Sequence, residues 1–406
     1  MHPERQTHYT IGYLTHGARN IGGGEYILAS LIRKLDRDLF RPVVFFAHKN
    51  EIIAELEAEG VATVPIALNR KMISLFRDDV ARSPIHLIRF FPAVFKDILA
   101  VRRAILSRGI DLLHPHDNLS KILGGVAAAT AGIPAVAHCH DLLGQGFIDR
   151  MLLQAQRLLM DRVIAVSGSV QERLIQGGMD PRQIRTIENG IDVERFSPGR
   201  SSLSRAGLSI PEAHRVIGVV GMFDPVKGHV FLLKAIKRLQ KTGAGNLTCL
   251  LVGEGRLEAE LKAYVNATGI NGQVCFLGYR RDVADLMALM DVVVMPSLRE
   301  SFGIVALEAM AMKVPVIASR IGGLEEIVEH EKTGLLVTPA DADALAEAIR
   351  KLADNPEMSR RMGAAGRRKV EEKFSIESTI RRTEALYREC IESALHQAGD
   401  VTTRQR

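Results

Sequence analysis

The sequence predicts an α/β protein made of two Rossmann-like units in succession. Two series of short apolar runs, rich in β-branched residues, alternate with helical patterns, which is the order expected of parallel βα units. A polar stretch with proline and glycine, Phe196–Ser202, separates the two series. The chain has 406 residues, which is enough for two hydrophobic cores. We therefore expect one domain over residues 1–199 and a second over residues 200–374.

The strands of both predicted sheets are short and apolar, as strands covered by helices on both faces are. In the first series these runs are Tyr9–Thr15, Val43–Ala47, Ala62–Ile66, Leu112–His114, Ala135–Cys139 and Val163–Val166. In the second series they are Val216–Val220, Thr248–Val252, Val274–Leu277, Val292–Met295, Val316–Ala318 and Leu335–Val337.

Composition favours a globular cytoplasmic enzyme. The apolar fraction is 47%, which excludes a disordered chain, and no run approaches the ~20 apolar residues of a membrane span. The apolar run Tyr9–Thr15 is too short for the core of a signal peptide. The four cysteines are widely spaced and form no Cys-x-x-Cys pair, which argues against a metal site or a disulfide framework and fits a reducing cytosol.

Two glutamates follow the fourth strand of the second series. Glu300 lies in the loop after that strand, and Glu308 lies in the next predicted helix. This edge of an open α/β sheet is where ligands bind. The free N–H groups of Phe302, Gly303 and Ile304 at the helix start suit a diphosphate. An ionised carboxylate beside them only accepts hydrogen bonds, which suits ribose or sugar hydroxyls.

The residues around these glutamates carry a resemblance to a known family. Glu-Ser-Phe-Gly at 300–303 and Glu-Ala-Met at 308–310 resemble the signature of the retaining glycosyltransferases of family 4. The resemblance extends over nearly the whole chain and is strongest over Asn189–Leu336. It implies the GT-B architecture, with two Rossmann-like domains facing each other across a cleft. It also implies that the last helix, Ser375–His396, returns to the first domain.

The resemblance implies a retaining, metal-independent hexosyltransferase. The donor would be a nucleotide-sugar, a UDP- or GDP-sugar, so that no separate cofactor is expected. The acceptor would be a glycan or a lipid-linked molecule in the synthesis of cell-surface polysaccharide or glycolipid. Two alternatives are a nucleotide-sugar epimerase, which shares the fold, and a nucleotide-sugar-binding protein without turnover. In the family, Glu308 would hold the ribose and Glu300 the transferred sugar. The donor-binding residues implied in this segment are Glu300, Ser301, Phe302, Gly303, Ile304 and Glu308.

Glycine-rich turns follow strands in both halves. Gly22 and Gly23 precede a predicted helix, where backbone amides can approach a phosphate; the resemblance implies the donor diphosphate or an acceptor phosphate there. Gly253 begins a segment like a dinucleotide fingerprint, but Glu258 replaces its third glycine, so that we reject a dehydrogenase. The resemblance implies instead that Gly253 lines the nucleotide site.

The segment from Gly221 to Gly228 predicts a leaving-group site. The resemblance implies that Lys227 neutralises the departing diphosphate, as a catalytic and donor-binding residue, with Gly221 beside the donor. Met222 stands where the family commonly has an arginine. The sequence therefore predicts a site with one cation fewer than usual.

His140 ends a strand of the first half, and the resemblance implies that it contacts the transferred sugar as a catalytic residue. The pairs His114/His116 and His138/His140 each share one face of a strand and could suggest metal ligands. No third ligand is evident, and we expect no metal.

Other segments receive structural or binding interpretations. Asp341 and Asp343 precede a helical pattern after a proline, which predicts a helix N-cap rather than a metal–diphosphate site. The resemblance implies that Tyr279 and Arg280 hold the nucleotide base. For Asn189 we favour a turn before the linker.

A basic segment predicts the surface of the acceptor domain. Residues 70–108 carry nine Lys/Arg and three Asp/Glu, and they include Phe76, Phe90, Phe91 and Phe95. One interpretation is peripheral contact with anionic lipid headgroups at the inner face of the membrane. The other is a helix that packs on the sheet with its arginines in solvent. Nucleic-acid binding is disfavoured because basicity alone supports it.

Overall fold

A computed structural model describes residues 8–17, 22–69, 91–140, 146–199, 201–243 and 246–404. The chain divides into two compact units. The first consists of Met1–Glu188 and Thr379–Arg406, and the second of Asn189–Ser378. Every strand pairing found in these ranges is parallel, as the βα alternation in the sequence predicts.

The first unit is a doubly wound parallel sheet. Its strands are β1 Tyr9–Thr15, β2 Phe40–Phe46, β3 Ala62–Pro65, β4 Leu112–Pro115, β5 Val136–Cys139, β6 Arg162–Ala165 and β7 Ile184–Thr186. Their order is β3-β2-β1-β4, followed by β5-β6-β7. A parallel bridge from Leu113 to Ala135 joins β4 to β5. The winding therefore reverses between β1 and β4.

Helices cover the sheet of the first unit. They are α1 Gly23–Lys34, α2 Glu51–Ala58, α3 Phe91–Ser107, α4 Asn118–Ala131, α5 Phe147–Leu159 and α6 Gly168–Gln176, with a 3-10 turn at Pro181–Gln183. Local sequence fixes their ends. The side chain of Asp117 caps α4 by accepting a hydrogen bond from Ser120 N at 2.9 Å, and Gly132 ends it with φ 74°.

The second unit has a six-stranded sheet with the same kind of winding. Its strands are β8 Arg215–Val220, β9 Leu247–Val252, β10 Val274–Gly278, β11 Val292–Met295, β12 Val316–Ser319 and β13 Gly334–Val337. The order is β10-β9-β8-β11-β12-β13, which reverses between β8 and β11. Its helices are α7 His229–Lys241, α8 Glu258–Thr268, α9 Val283–Met287, α10 Ile304–Ala311, α11 Gly322–Ile327, α12 Ala342–Ala353 and α13 Pro356–Lys373. Its 3-10 turns are Ala206–Leu208, Pro225–Lys227 and Asn271–Gln273.

The last helix, α14 Ile376–Arg404, belongs to the first unit from Thr379 onward. Tyr387 is fully buried there, and its hydroxyl lies 2.5 Å from His114 Nδ1. Near the start of the helix, Thr379 Oγ1 donates to the carbonyl of Glu188 at 2.8 Å. Burial and hydrogen bonds thus attach the end of the chain to the sheet of the first unit.

The twelve predicted strands are all present, and the sequence missed only β7 among the strands described. The strand β7 has one apolar residue in three, which is too weak a pattern to detect. The boundary between units falls after Glu188, whereas the predicted one follows residue 199. Phe196, in the predicted linker, is buried, and its carbonyl accepts a hydrogen bond from Arg367 at 2.8 Å. Such contacts hold this stretch in the second unit.

Part of the basic segment packs as a helix of the first unit. Residues 70–90, with Phe76 and Phe90, lie outside the described residues. In α3, Val101 and Ile105 are buried, whereas Phe95 is 58% exposed. The helix therefore combines a packed apolar face with one exposed aromatic side chain. Within the described ranges, no helix is both long enough and apolar enough to cross a membrane.

Candidate active site

Each sheet reverses its winding between two neighbouring strands, and ligands of open α/β sheets bind at the carboxyl ends of such strands. In the second unit these ends are the loops after β8 and β11, which contain Gly221–Gly228 and Pro296–Gly303. The two loops contact each other: Leu298 N donates to the carbonyl of Val226 at 2.7 Å. The structure thus brings the predicted leaving-group segment and the predicted sugar segment together.

Glycines allow the loops of this edge to approach closely. A Cβ on Gly228 would lie 1.9 Å from the carbonyl oxygen of Pro296, and one on Gly253 would lie 2.1 Å from that of Gly221. Both glycines also have positive φ, 68° and 139°. A side chain at either position would force the loops apart. The glycine spacing after β9 therefore serves loop packing, which agrees with the rejection of a dehydrogenase fingerprint.

Lys227 and Glu300 form an ion pair in this site. Lys227 Nζ lies 2.7 Å from Glu300 Oε2, and Ser297 Oγ donates to the same oxygen at 3.3 Å. The Glu300 side chain is only 11% exposed, whereas that of Lys227 is 32% exposed. The ammonium is therefore accessible from solvent, and the carboxylate is held in one orientation by its two donors.

The helix α10 begins at this site without a side-chain cap. Its N-cap, Gly303, has φ 110°, and a Cβ there would lie 2.6 Å from Leu324 Cδ2. Ile304 and the residue after it open the helix, so that their N–H groups point toward the loop. Phe302 itself is buried, with its ring 6.1 Å from that of Phe374. Of the predicted ligand-binding residues here, Phe302 can contribute only backbone atoms, while Ser301 lies half-buried beside it.

Glu308 is a partly buried carboxyl on the second turn of α10. Burial raises its pKa to about 7, and the positive charge of Arg195 opposes this only in part. Near neutral pH the side chain is thus poised between a carboxylic acid and a carboxylate. A ligand whose hydroxyls donate hydrogen bonds would favour the carboxylate.

The remaining predicted donor-site residues lie on neighbouring loops. Tyr279 is 44% exposed, and its backbone N–H donates to Glu254 Oε1 at 3.2 Å. Arg280 is paired with Asp282, Nε to Oδ1 at 2.8 Å, so that part of its guanidinium is already engaged. Met222 is 51% exposed, as expected of a side chain at a ligand edge rather than in a core.

In the first unit, the predicted phosphate turn leads into α1. Gly22 is the N-cap, and Gly23 is the first residue of the helix. The Glu25 side chain caps this start from within the first turn, because its Oε2 accepts a hydrogen bond from Gly22 N at 3.0 Å. Gly24 lies against two histidines: a Cβ there would be 3.5 Å from His116 Nε2 and 3.8 Å from His140 Cδ2.

Four histidines of the first unit form one cluster, hereafter the histidine cluster: His114, His116, His138 and His140. The rings of His138 and His140 stack at 4.3 Å, and the rings of His116 and His140 meet edge to face at 4.9 Å. Burial lowers the pKa of His116 to about 4 and of His138 to about 3, and those of His114 and His140 lie well below the usual value. The cluster is therefore neutral at pH 7.

Two groups of residues were considered as metal ligands, the histidine pairs and Asp341 with Asp343. No group of three or more His, Cys, Asp or Glu side chains in the described part of the chain is arranged to hold a metal ion. Asp341 acts as the predicted N-cap, because its Oδ1 accepts hydrogen bonds from the backbone N–H of Asp343 and Ala344 at 2.9 Å. That carboxylate is therefore engaged in starting α12.

Sequence reasoning missed two basic residues near the candidate sites. Arg256 pairs with Asp224 at 3.1 Å beside the Lys227 loop. Lys121 is buried in α4, although lysine is seldom buried. The position of Arg256 near the site could be predicted from the sequence, since it lies inside the glycine motif after β9. The burial of Lys121 could not be predicted, because a lysine in a helical pattern normally lies in solvent.

Comparison with known proteins identifies the class of enzyme. The family model described as Glycosyl transferases group 1 matches residues 201–369, and that of Glycosyltransferase Family 4 matches residues 21–195. The chain is 32% identical over 308 residues to the D-inositol 3-phosphate glycosyltransferase of Saccharomonospora viridis, covering 69% of this chain and 70% of that protein. It is 27% identical over 333 residues to the N-acetyl-α-D-glucosaminyl L-malate synthase of Bacillus anthracis, covering 80% and 86%.

Solved structures agree with this assignment. The crystal structure of Anabaena Alr3699/HepE in complex with UDP-glucose is 25% identical, with a TM-score of 0.78 over 93% of this chain and 99% of that one. Sucrose-phosphate synthase from Thermosynechococcus elongatus is also 25% identical, with a TM-score of 0.78 over 95% of this chain and all of the other. The chain belongs to the glycosyltransferases of family 4 and has the GT-B fold.

Proposed function

We propose that this glycosyltransferase moves a hexose from a UDP- or GDP-sugar to a glycan or lipid-linked acceptor, with retention and without a metal ion. The Lys227–Glu300 contact at the carboxyl ends of β8 and β11 carries the proposal. It joins a solvent-accessible cation to an oriented carboxylate beside an uncapped helix start. A diphosphate and a sugar need these groups next to each other. The solved Alr3699/HepE complex with UDP-glucose, a neighbour of the same fold, supports this donor class.

In this proposal the donor is held by groups of different chemistry. The Lys227 ammonium and the first N–H groups of α10 bind the diphosphate. Glu308 accepts hydrogen bonds from the ribose, and Glu300 accepts them from the transferred sugar. Positive charge for the leaving group comes from Lys227 and the helix dipole, so that a divalent ion is not required.

Retention follows in this proposal from attack on the same face of the sugar that the diphosphate leaves. Glu300 Oε2 is engaged by Lys227 and Ser297, which suits hydrogen bonding better than nucleophilic attack. The departing phosphate oxygen then accepts the proton of the acceptor hydroxyl. His140, neutral at pH 7, serves as a hydrogen-bond partner of the sugar rather than as a strong base.

The first experiment measures thermal stabilisation of the purified protein by UDP, GDP and ADP and their sugars, with and without EDTA. We expect one nucleotide to raise Tm in the presence of EDTA, because a ligand at about 100 times its Kd adds ~2.7 kcal/mol to the folded state. Hydrolysis or transfer of the matching sugar, with the anomer of the product determined by NMR, tests turnover and retention. Binding without turnover with any acceptor would favour a non-catalytic protein, and loss of stabilisation in EDTA would refute metal independence.

Replacement of the leaving-group cation is expected to affect turnover more than donor affinity. In Lys227→Ala, kcat should fall by about 100-fold, because negative charge on the diphosphate grows in the transition state. The KM for the donor should change by less. Lys237→Ala is the matched control, since this lysine lies on α7 and contacts Gln240 Oε1 at 2.8 Å. A raised KM with unchanged kcat would contradict the assigned role.

A further inference from the structure

A pocket opens on the second unit at the edge of its sheet opposite the candidate active site. Its volume is about 290 Å³, close to the lower limit of ~300 Å³ for small-molecule sites. It lies at the amino ends of three strands, since Arg215 begins β8, Asp291 precedes β11 and Pro315 precedes β12. The loops with Lys227 and Glu300 follow the carboxyl ends of β8 and β11. The pocket is therefore separate from the candidate donor site.

The pocket combines an apolar wall with a surplus of positive charge. Much of the wall consists of buried apolar side chains, those of Met290, Met312, Val314 and Leu352. The cations that line the pocket are Arg215, Lys313 and Arg360. Among the described residues that line it, Asp291 alone is acidic. Three cations and one carboxylate around a cavity favour an anionic ligand.

The carboxylate of Asp291 is already compensated by other groups. Its Oδ2 lies 2.9 Å from Arg205 Nη2 and accepts a hydrogen bond from Val216 N at 2.8 Å. Its Oδ1 lies 3.5 Å from Arg215 Nη1. Two guanidinium groups thus face one carboxylate. Because a guanidinium carries five N–H donors and the Arg215 side chain is 42% exposed, Arg215 can bind a further acceptor.

Lys313 and Arg360 bring charge that no acidic side chain neutralises. Over the ranges that the structure describes, neither side chain has a hydrogen bond or an ion pair. They come from different elements, since Lys313 follows α10 and Arg360 lies near the start of α13. The start of α13 itself is capped, because Asn355 Oδ1 accepts a hydrogen bond from Met358 N at 2.9 Å. An anion in the pocket would therefore be held by side chains.

The backbone at Lys313 adopts a conformation that favours glycine. Helix α10 ends in a Schellman motif, in which Lys313 N donates to the carbonyl of Met310 at 3.0 Å and Val314 N to that of Ala309 at 2.9 Å. The residue after the C-cap then has a positive φ, which is 60° at this lysine. A Cβ on Gly363 would lie 1.9 Å from the Lys313 carbonyl oxygen, so that α13 holds the turn in place. Strain of this kind at a residue other than glycine is concentrated at functional sites.

We propose that this pocket binds a small phosphate monoester, with the phosphate held by Arg215, Lys313 and Arg360 and the organic part against the apolar wall. Two guanidinium groups and an ammonium suit the oxygens and the higher negative charge of a phosphate monoester better than the single charge of a carboxylate. The proposal is independent of the proposed function, since none of these three residues belongs to the donor site. It gives the second unit a second ligand site.

The test is titration calorimetry on the full chain with phenyl phosphate and glucose 6-phosphate as probes, and with inorganic phosphate and benzoate for comparison. We expect one of the two esters to bind once per chain, and more tightly than inorganic phosphate, because the apolar wall contacts its organic part. In Lys313→Gly and in Arg360→Gln its Kd should rise about tenfold or more, because a charge-assisted hydrogen bond is lost. Arg361→Gln is the matched control, since this exposed neighbour does not line the pocket, and it should change nothing.

Lys313→Gly removes the cation without endangering the fold, because glycine adopts a positive φ without strain. The Tm of the ligand-free variant should therefore not fall. An ester Kd that is unchanged in Lys313→Gly, or no binding of either ester to the wild-type chain, overturns the site. If Lys313→Gly does lower Tm, Arg360→Gln decides by the same criterion.

The comparison anions and a variant of the donor site decide the remaining outcomes. Esters that bind no more tightly than inorganic phosphate would show an adventitious ion only and would overturn the proposal. Benzoate that binds as tightly as phenyl phosphate would refute the phosphate class. If Lys227→Ala weakens the ester as much as Lys313→Gly does, the anion binds at the donor site and the inference is wrong. An ester Kd that is unchanged in Lys227→Ala supports a separate site.

Discussion

Acidification from pH 6.5 to 4.5 is expected to unfold the first unit while the second unit loses little stability. His114, His116 and His138 are buried, with pKa values far below the 6.5 of a free histidine. Their contribution to stability is complete above pH 6.5 and is lost as the pH falls toward the folded pKa values. His116 and His138 contribute about 1.4 kcal/mol each per pH unit, so that together they remove ~6 kcal/mol over this range, and the lowered pKa of His114 acts in the same direction. Most domains have only about 5–15 kcal/mol to lose.

Carboxyl groups with raised pKa values act in the opposite direction. In the second unit, the lowered pKa of His229, about 4, makes the folded state less stable on acidification. The raised pKa of Glu308 makes the folded state more stable as the pH falls from about 7 to 4.5. These two effects nearly cancel. In the first unit, Glu25 has a raised pKa through burial and offsets only part of the loss from the histidine cluster.

Urea titrations at several pH values, read by hydrogen exchange of peptides from each unit, check this expectation. The variant His138→Leu should reduce the pH slope of the first unit by about one proton. The exposed His396 provides the control, His396→Gln, which should leave the slope unchanged. Equal slopes in the two units would show that the histidine cluster is not the origin of the acid sensitivity.

The second large effect is expected at Glu308. In Glu308→Ala, the affinity for the nucleotide-sugar should fall by about 10- to 100-fold, because hydrogen bonds to a charged group contribute ~1.5–3 kcal/mol each. Wild-type affinity should also fall about tenfold per pH unit below pH 7, since ribose hydroxyls need the ionised carboxylate and its pKa is about 7. Glu308→Gln should bind weakly at every pH.

Calorimetry with UDP-glucose and GDP-mannose between pH 6 and 8.5 measures both effects. A nucleotide-sugar is a better probe than a free nucleotide, because its diphosphate ester does not titrate in this range. The exposed Glu325 on α11 provides the matched control, Glu325→Gln. If affinity in Glu308→Ala equals that of the wild type, the donor site has been assigned to the wrong helix.

The burial of the parallel strands on both faces explains why so much of the fold is predictable from local sequence patterns. Parallel strands buried on both faces are continuous apolar runs, and twelve such runs were recognised without any knowledge of their neighbours. The apolar pattern does not predict the strand β7, because two of its three residues are polar. The boundary between the units follows Glu188 and not residue 199, because Phe196, which lies in a segment with the composition of a linker, is buried in the second unit. Contacts distant in the sequence decide such positions.

The sequence by itself determined the two series of βα units, the family, and the chemistry available at Glu300, Glu308 and Lys227. These features depend on residue type and on spacing along the chain. Only the tertiary structure decided that Lys227 and Glu300 are 2.7 Å apart, that burial raises the pKa of Glu308 to about 7, and that Lys121 is buried. The physical reason is that distance and burial set the strength of an electrostatic interaction, and both arise only when strands and loops far apart in the chain are packed together.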